Sequence, residues 1–150
     1  MKIAIIVAGG TSTRYGKDKL GEQLLGKSVL QHSVDVFKSV SDQVIVVGQH
    51  VDGVLYAKGG STRFQSVLNG ISAIANDAHG VVAIHDGARP FITRRFVEYL
   101  IYLQFIGQIA NGLQNLINGR CFIFGTHGIG RRRNRAISLA HGNAIVGYGL

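Results

Sequence analysis

Short apolar runs bounded by glycine or polar residues recur along the first hundred positions and predict buried strands. KIAIIVA (2–8) is continuous, rich in β-branched residues and followed by two glycines. QVIVVG (43–48) and VVAIH (81–85) have the same character, and VLYA (54–57) predicts a shorter strand. Runs of this kind are typical of strands that are buried on both faces, as in a parallel sheet.

Between these runs the apolar residues lie three or four positions apart, which predicts amphipathic helices over 29–37 and 64–75. Thr93 is a candidate N-cap for a third helix over 94–103. The inward-facing residues of this third helix would be Phe96, Val97, Leu100 and Ile101. The alternation of strands and helices predicts an α/β fold with an open, mostly parallel sheet and right-handed crossovers.

Three polar, glycine-containing segments directly follow predicted strands. They are GGTSTRYGKDK (9–19), GGSTR (59–63) and DGARP (86–90). In open parallel sheets ligands bind beyond the carboxyl ends of the strands, so all three segments are expected at the same edge. This convergence predicts a ligand site there.

Length and composition limit the class of protein. At 150 residues, 46% hydrophobic and 16% charged, the chain suits one globular α/β domain. Its single cysteine, Cys121, can form neither an internal disulfide nor a cysteine metal cluster, which favours a reducing compartment. The opening apolar run is too short for a secretory signal, and no stretch reaches the roughly 18 apolar residues of a membrane span. We therefore expect a soluble cytoplasmic protein without a membrane partner.

The net charge of +8 is unevenly distributed. Residues 1–98 hold all eight acidic residues and eleven of the sixteen basic ones, whereas residues 99–150 hold five arginines and no lysine, aspartate or glutamate. A moderately basic domain suits a phosphorylated substrate as well as it suits nucleic acid. RRRNR (131–135) is a candidate nucleic-acid patch, but such runs are usually solvated charge, so nucleic acid is not the favoured partner.

The first polar segment is suited to phosphate binding. Its glycines and small side chains let backbone N–H groups approach a ligand closely. Arg14 can contact two phosphate oxygens, and Lys17 or Lys19 can add a further positive charge. The segment matches neither the P-loop pattern GxxxxGK[ST] nor the dinucleotide pattern GxGxxG. The alternative is an ordinary strand-to-helix turn with solvated charges.

The other two segments add a hydroxyl and a carboxylate. Ser66 lies in the first turn of the second helix, where it can cap that helix or meet a polar ligand. Asp86 directly follows a buried strand and can hold Mg²⁺ while triphosphate oxygens and waters complete the coordination; the alternative is an Asx turn into Gly87. Arg89 would hold the loop or pair with Asp86. Because no nucleophile has a partnered base, the three segments predict phosphoryl or nucleotidyl transfer by positioning and charge neutralisation.

With their flanks, the three segments resemble the signature blocks of the 2-C-methyl-D-erythritol 4-phosphate cytidylyltransferase family. VAGGTSTRYGKDKL, GGSTRFQSVLNGI and VAIHDGARPFIT match those blocks in order and approximate spacing, over about residues 2–102. The first block marks the wider nucleotidyltransferase superfamily, and the other two are more specific. The resemblance implies a Rossmann-like nucleotidyltransferase fold. It also implies cytidylyl transfer from CTP to 2-C-methyl-D-erythritol 4-phosphate, with release of pyrophosphate.

The resemblance further implies a role for each of nine residues. The triphosphate would lie along Ala8, Gly9 and Gly10, and the transition state at the α-phosphorus would be stabilised by Arg14 and Lys19. The cytosine end would contact Gly59, Gly60 and Ser66, and Asp86 would bind Mg²⁺. Ser12 stands where a glycine is common, which would stiffen the first loop. Close relatives that use ribitol 5-phosphate share the three blocks, so that acceptor is the alternative.

The resemblance ends after Tyr102, and residues 103–150 form a separate segment. It holds nine of the 21 glycines, and its strand patterning is weak apart from CFIF (121–124). The further strands, dimerisation arm and closing strand–helix of the family are not recognisable in it. We therefore expect neither the family homodimer nor a covered sheet edge, and at best weak CTP binding without transfer.

Three hypotheses account for this tail. The chain is an enzyme of the family whose reading frame shifted near residue 103, or a short variant that binds nucleotide without turnover. In the third hypothesis it is a nucleic-acid-binding protein that uses the arginines of the tail.

Overall fold

A computed structural model describes residues 1–9, 18–75 and 80–103, together with the backbone of 123–126 and 144–148. In chain order the elements of these residues are β1 (Lys2–Val7), β2 (Gln23–Leu24), β3 (Lys27–Ser28), α1 (Val29–Lys38), β4 (Gln43–Val47), β5 (Leu55–Ala57), α2 (Arg63–Ser72), β6 (Val81–Asp86), α3 (94–103), β7 (Ile123–Thr126) and β8 (Ala144–Tyr148). No helix among the described residues combines the length and the hydropathy needed to cross a membrane.

Six strands form one sheet in the order β5-β4-β1-β6-β8-β7, and every pairing in it is parallel. This confirms the predicted α/β class. The chain runs outward from β1 through β4 to β5 and then returns to the other side of β1 as β6. In the register, Val7 lies opposite both Val47 and Asp86. The strand order therefore reverses between β1 and β6, where open α/β sheets bind their ligands.

The core lies on both faces of the sheet because alternate residues of each strand point to opposite sides. On one face Ile5 and Val7 pack in a cluster with Val67 of α2. On the other face Ile6 packs in a cluster with Phe37 of α1 and the α3 residue Val97. The central strands are covered from both sides, which explains why their sequences are continuously apolar.

The helices begin at capping side chains. Ser28 accepts from the Gln31 amide at the start of α1, and Thr62 accepts from the Gln65 amide at the start of α2. The helix predicted over 64–75 thus begins one residue earlier and ends three residues sooner. Within α2, Gly70 permits close packing, because a Cβ there would lie 2.6 Å from Cγ2 of Ile5.

The third helix confirms its predicted cap and part of its predicted face. The Phe96 amide donates to Thr93 Oγ1 over 3.3 Å. Val97 is buried, and Leu100 and Ile101 are half-buried. Phe96 is exposed, so its predicted inward orientation is wrong. It precedes Val97 by one residue, or about 100° around the helix, which turns it away from the sheet.

The β2–β3 hairpin has no counterpart among the elements predicted from the sequence. Its two-residue turn consists of Leu25 (φ +51°) and Gly26 (φ +81°), and positive φ at both positions is the requirement of a type I′ turn. Strands of two residues show no measurable alternation, and leucine is a rare choice at a positive φ. The pattern therefore gave no signal.

Two strands of the tail join the sheet, and this corrects an expectation. β7 overlaps the CFIF run, but β8 was not predicted, because Gly147 interrupts an otherwise β-prone AIVGY segment. β8 pairs with β6 from Val81 opposite Ala144 to Ile84 opposite Gly147. The edge of β6 is therefore paired, and the uncovered edge expected there is wrong.

Candidate functional site

The loops that follow the central strands stay hydrogen-bonded to one another beyond the strand ends. After β1, the Ala8 amide donates to the Val47 carbonyl over 2.8 Å. After β4, the Gly48 amide donates to the Ala57 carbonyl over 2.9 Å. After β6, the Gly87 amide donates to Val7 over 2.9 Å. The loops after β1, β4, β5 and β6 therefore leave the sheet side by side, and three of them, after β1, β5 and β6, are the segments expected at one edge from the sequence.

Gly9, Gly48 and Gly59 bring three of these loops into direct backbone contact. A Cβ on Gly48 would lie 2.4 Å from Cα of Gly9, and a Cβ on Gly59 would lie 3.3 Å from Cα of Gly48. Gly48 also has a φ of +98°, which side chains disfavour. The sequence analysis used Gly48 only as the end of a strand. The close approach across three loops comes from tertiary structure and leaves no local signal.

Ser66 is buried beneath this contact and braces the turn before α2. Its hydroxyl donates to the Thr62 carbonyl over 3.1 Å and accepts from the Gly60 amide over 3.0 Å. The cap of α2 is Thr62 rather than Ser66. Since the Ser66 proton is engaged within the turn, its hydroxyl fixes the shape of the 59–60 loop from inside.

Asp86 ends β6 with its side chain 38% exposed. Its Oδ1 accepts from the Ala88 amide over 3.1 Å, which is the Asx turn, and its Oδ2 lies 3.7 Å from Arg89 Nε. The turn and the pairing with Arg89 are both present. The Arg89 contact is loose and exposed, so Oδ2 retains lone pairs for a cation, and Arg89 lies beside it to meet an anion.

The chemistry around Asp86 bears on how a metal would be held. Within the described ranges no three His, Cys, Asp or Glu residues cluster closely enough to form a protein-only metal site. Mg²⁺ in nucleotide-dependent enzymes is commonly held by one or two carboxylates together with phosphate oxygens and water, and a single carboxylate such as that of Asp86 suits this arrangement.

Lys19 is exposed and lies just before the buried residue Leu20. The Leu20 amide donates to Asp18 Oδ1 over 3.1 Å, and its carbonyl accepts from the Leu30 amide over 3.2 Å. The hydrogen bond between Leu20 and Leu30 thus holds the backbone next to Lys19 against the start of α1. The predictions for Gly10, Arg14 and Lys17 fall outside the described residues.

Two buried polar residues beside the site, Ser33 of α1 and His85 of β6, were not among the residues predicted from the sequence. Both contact the Arg89 carbonyl. Burial lowers the pKa of His85, because removal from water penalises the charged imidazolium. For His85, the signal in the sequence was a single polar residue at the end of the apolar run VVAIH.

Comparison with known proteins supports the resemblance. Residues 2–111 match the family model for 2-C-methyl-D-erythritol 4-phosphate cytidylyltransferase. The chain is 40% identical over 114 residues to the protein of that name from Bacteroides thetaiotaomicron, covering 63% of this chain and 51% of that protein. It is 33% identical over 135 residues to the protein of the same name from Clostridium acetobutylicum, covering 76% and 58%.

A solved structure agrees at the level of the fold. The crystal structure of the Francisella tularensis 2-C-methyl-D-erythritol 4-phosphate cytidylyltransferase superposes with a TM-score of 0.50 at 18% identity, covering 98% of this chain and 89% of that one. The chain spans only about half the length of the curated relatives it matches. The matched segment contains all three loops of the site and nearly three-quarters of the chain. The chain therefore belongs to the 2-C-methyl-D-erythritol 4-phosphate cytidylyltransferase family.

Proposed function

We propose that the site at the carboxyl ends of β1, β5 and β6 binds CTP with Mg²⁺ and transfers its cytidylyl group to 2-C-methyl-D-erythritol 4-phosphate. A phosphate oxygen of the acceptor attacks the α-phosphorus, the bond from that phosphorus to the β-phosphate bridge breaks, and pyrophosphate leaves. One observation carries the proposal. Gly9 and Gly59 meet at the end of β1, and Asp86 lies opposite Val7, the last residue of that strand.

The phosphates would lie along Ala8, Gly9 and Gly10, where small residues let backbone amides approach. Arg14 and Lys19 would neutralise the negative charge that grows at the α-phosphorus in the transition state. When bound at Asp86, Mg²⁺ supplies further charge neutralisation of the phosphates.

The cytosine end would contact Gly59 and Gly60. The Gly60 amide is engaged by Ser66, so Gly60 has only its carbonyl oxygen to offer the base. A carbonyl acceptor suits the exocyclic amino group of cytosine and disfavours the carbonyl that uracil carries in its place. Ser66 would therefore act by holding the loop and need not itself contact the base.

The experiment measures pyrophosphate release by the purified 150-residue chain with CTP and Mg²⁺, first with 2-C-methyl-D-erythritol 4-phosphate and then with ribitol 5-phosphate. From the sequence we expected no transfer by this chain; the proposal instead predicts release that requires an acceptor and is faster with the first. Faster release with ribitol 5-phosphate would identify the alternative acceptor. CTP binding without release from either would instead favour the nucleotide-binding module, and absence of CTP binding would refute the proposal.

Asp86→Asn in the same assay tests the metal role, because it keeps the shape of the side chain and removes its charge. We expect Mg²⁺-dependent CTP binding to weaken by about tenfold or more while the fold survives. Glu98→Gln is the control, since this acidic residue pairs with Arg94 on the exposed side of α3. Unchanged affinity in Asp86→Asn would leave Asp86 only its role in the turn. The cytoplasmic location and the absence of a homodimer stay predictions.

A further inference from the structure

Two buried polar side chains converge on one backbone atom, the carbonyl oxygen of Arg89. His85 Nε2 lies 3.1 Å and Ser33 Oγ 3.2 Å from that oxygen, and these two side-chain atoms are 3.3 Å apart. Ser33 is 0% and His85 2% exposed. Buried polar groups cost free energy unless they are hydrogen-bonded, and here Ser33 Oγ, His85 Nε2 and the Arg89 oxygen satisfy one another.

The direction of these hydrogen bonds follows from the acceptor. A carbonyl oxygen only accepts, so the geometry assigns the imidazole proton of His85 to Nε2 and makes the Ser33 hydroxyl a second donor. The Phe37 ring packs against the imidazole with ring centroids 5.0 Å apart. His85 Nδ1 finds no hydrogen-bond partner among the described residues. The polar contacts of the buried ring therefore lie at Nε2, toward Arg89 and Ser33.

The oxygen held in this way belongs to the turn that presents Asp86. At its start, the Gly87 amide donates to β1. In its middle, the Ala88 amide donates to Asp86 Oδ1 over 3.1 Å and the Arg89 amide to the Asp86 carbonyl over 3.1 Å. At its end, Ser33 and His85 hold the Arg89 carbonyl. The buried side chains fix the backbone from inside, while the charged groups of Asp86 and Arg89 reach solvent.

We propose that Ser33 and His85 are positioning residues, which set the orientation of the Asp86 carboxylate and the Arg89 guanidinium toward a metal–nucleotide complex by holding the Arg89 carbonyl. This inference rests on the proposed function. α1 thereby takes part in the site without touching the nucleotide, because Ser33 links it to the turn after β6. A merely structural role would change stability alone and leave nucleotide affinity intact.

The test uses the full chain and four variants. Ser33→Ala and His85→Leu each remove one donor, whereas His85→Gln keeps an N–H donor near the position of Nε2. Val34→Ala is the matched control, because Val34 is also fully buried on α1 but belongs to the apolar cluster. Hydrogen exchange reports the Ala88 and Arg89 amides without ligand, and calorimetry measures the affinity for CTP with Mg²⁺. Both are run at a temperature where circular dichroism shows every variant folded.

We expect Ser33→Ala and His85→Leu to accelerate exchange at both amides and to weaken Mg²⁺–CTP binding by about tenfold. Their effects combine less than additively, because both donors hold the same oxygen. Val34→Ala should lower stability and leave both readouts near wild type, and His85→Gln should retain most of the affinity.

Two results overturn the inference in different ways. In the first, the wild-type chain binds Mg²⁺–CTP, and either Ser33→Ala and His85→Leu bind it as tightly as wild type or Val34→Ala binds it as weakly as those two variants. The positioning role then fails and the proposed function stands. If the wild-type chain does not bind CTP, the proposed function and the positioning role fall together.

Discussion

Gly48 shows how much one residue without a side chain determines at this site. Its left-handed backbone and its contact with Gly9 both exclude a Cβ atom. Asp86, by contrast, is defined by a side chain that meets a turn amide and an arginine. Of these two residues, only Asp86 could be recognised from the sequence as a candidate site residue, since its carboxylate follows an apolar run. The sequence could not indicate Gly48, whose neighbours come from two other loops.

Gly48→Ala should destabilise the fold by more than about 2 kcal/mol, because it combines an unfavourable φ with a clash against backbone. Gly26→Ala is the matched control, since Gly26 also has a positive φ but a Cβ there would meet nothing within 4 Å. It should cost about 1 kcal/mol. Urea denaturation gives both values. Equal losses would mean that contact among the three loops contributes nothing beyond backbone strain.

If the proposed function holds, Lys19→Ala should lower kcat by more than about tenfold, or 1.4 kcal/mol, and change KM little, because the proposal has its charge act mainly on the transition state. The measurement is steady-state pyrophosphate release. Lys38→Ala is the control, since Lys38 is exposed at the opposite end of α1. A rise in KM with kcat unchanged would assign Lys19 to ground-state binding.

His85 makes stability depend on pH. Burial holds its pKa below the ordinary value of 6.5 in the folded chain. Below pH 6.5 the unfolded chain therefore binds a proton that the folded chain does not, so this contribution is complete above that pH and is lost as the pH falls toward the folded pKa. Unfolding free energy between pH 7 and 5, without metal or nucleotide, should fall less steeply in His85→Gln. The same slope in both proteins would contradict this.

At the scale of elements, the predictions succeeded for the continuous apolar runs and the amphipathic repeats and missed the two-residue strands and the glycine-interrupted β8. β1, β4 and β6 are continuous apolar runs, and α1 repeats its apolar positions through two turns. β2 and β3 have two residues each, so no alternation could indicate them. β8 was not predicted, because Gly147 interrupts its apolar pattern. The contacts that shape the site, such as Ser66 with Gly60, depend on where elements pack and have no counterpart in local pattern.

α2 supplies a prediction at this scale. Gly70→Ala raises helix propensity by about 1 kcal/mol, but the new Cβ would lie 2.6 Å from Ile5 and 2.9 Å from Val47. Overpacking costs about 1–3 kcal/mol, so the net effect is a loss of stability. Ser72→Ala, an exposed change on the same helix, should stay within about 0.5 kcal/mol. Stabilisation by Gly70→Ala would show that α2 can move away from the sheet.

At the scale of the whole molecule, the tail and the matched segment share one sheet. β8 covers the edge of β6, so a chain ending at residue 103 should expose that edge and become less soluble. Hydrogen exchange of the β6 amides in the two chains, with sedimentation to detect aggregates, measures this. If the shorter chain keeps the same β6 protection and solubility, β8 does not stabilise β6 in solution.

The central position of β1 has a consequence for the order in which the protein folds. Among the described strands β1 leaves the ribosome before the others, yet its neighbours in the sheet are β4 and β6. Val7 can therefore pair with Asp86 only after residue 86 has been synthesised, and at synthesis rates of about 5–20 residues per second this takes roughly 4–16 s. For that time one edge of the central strand stays unpaired, where a chaperone or a second nascent chain can reach it.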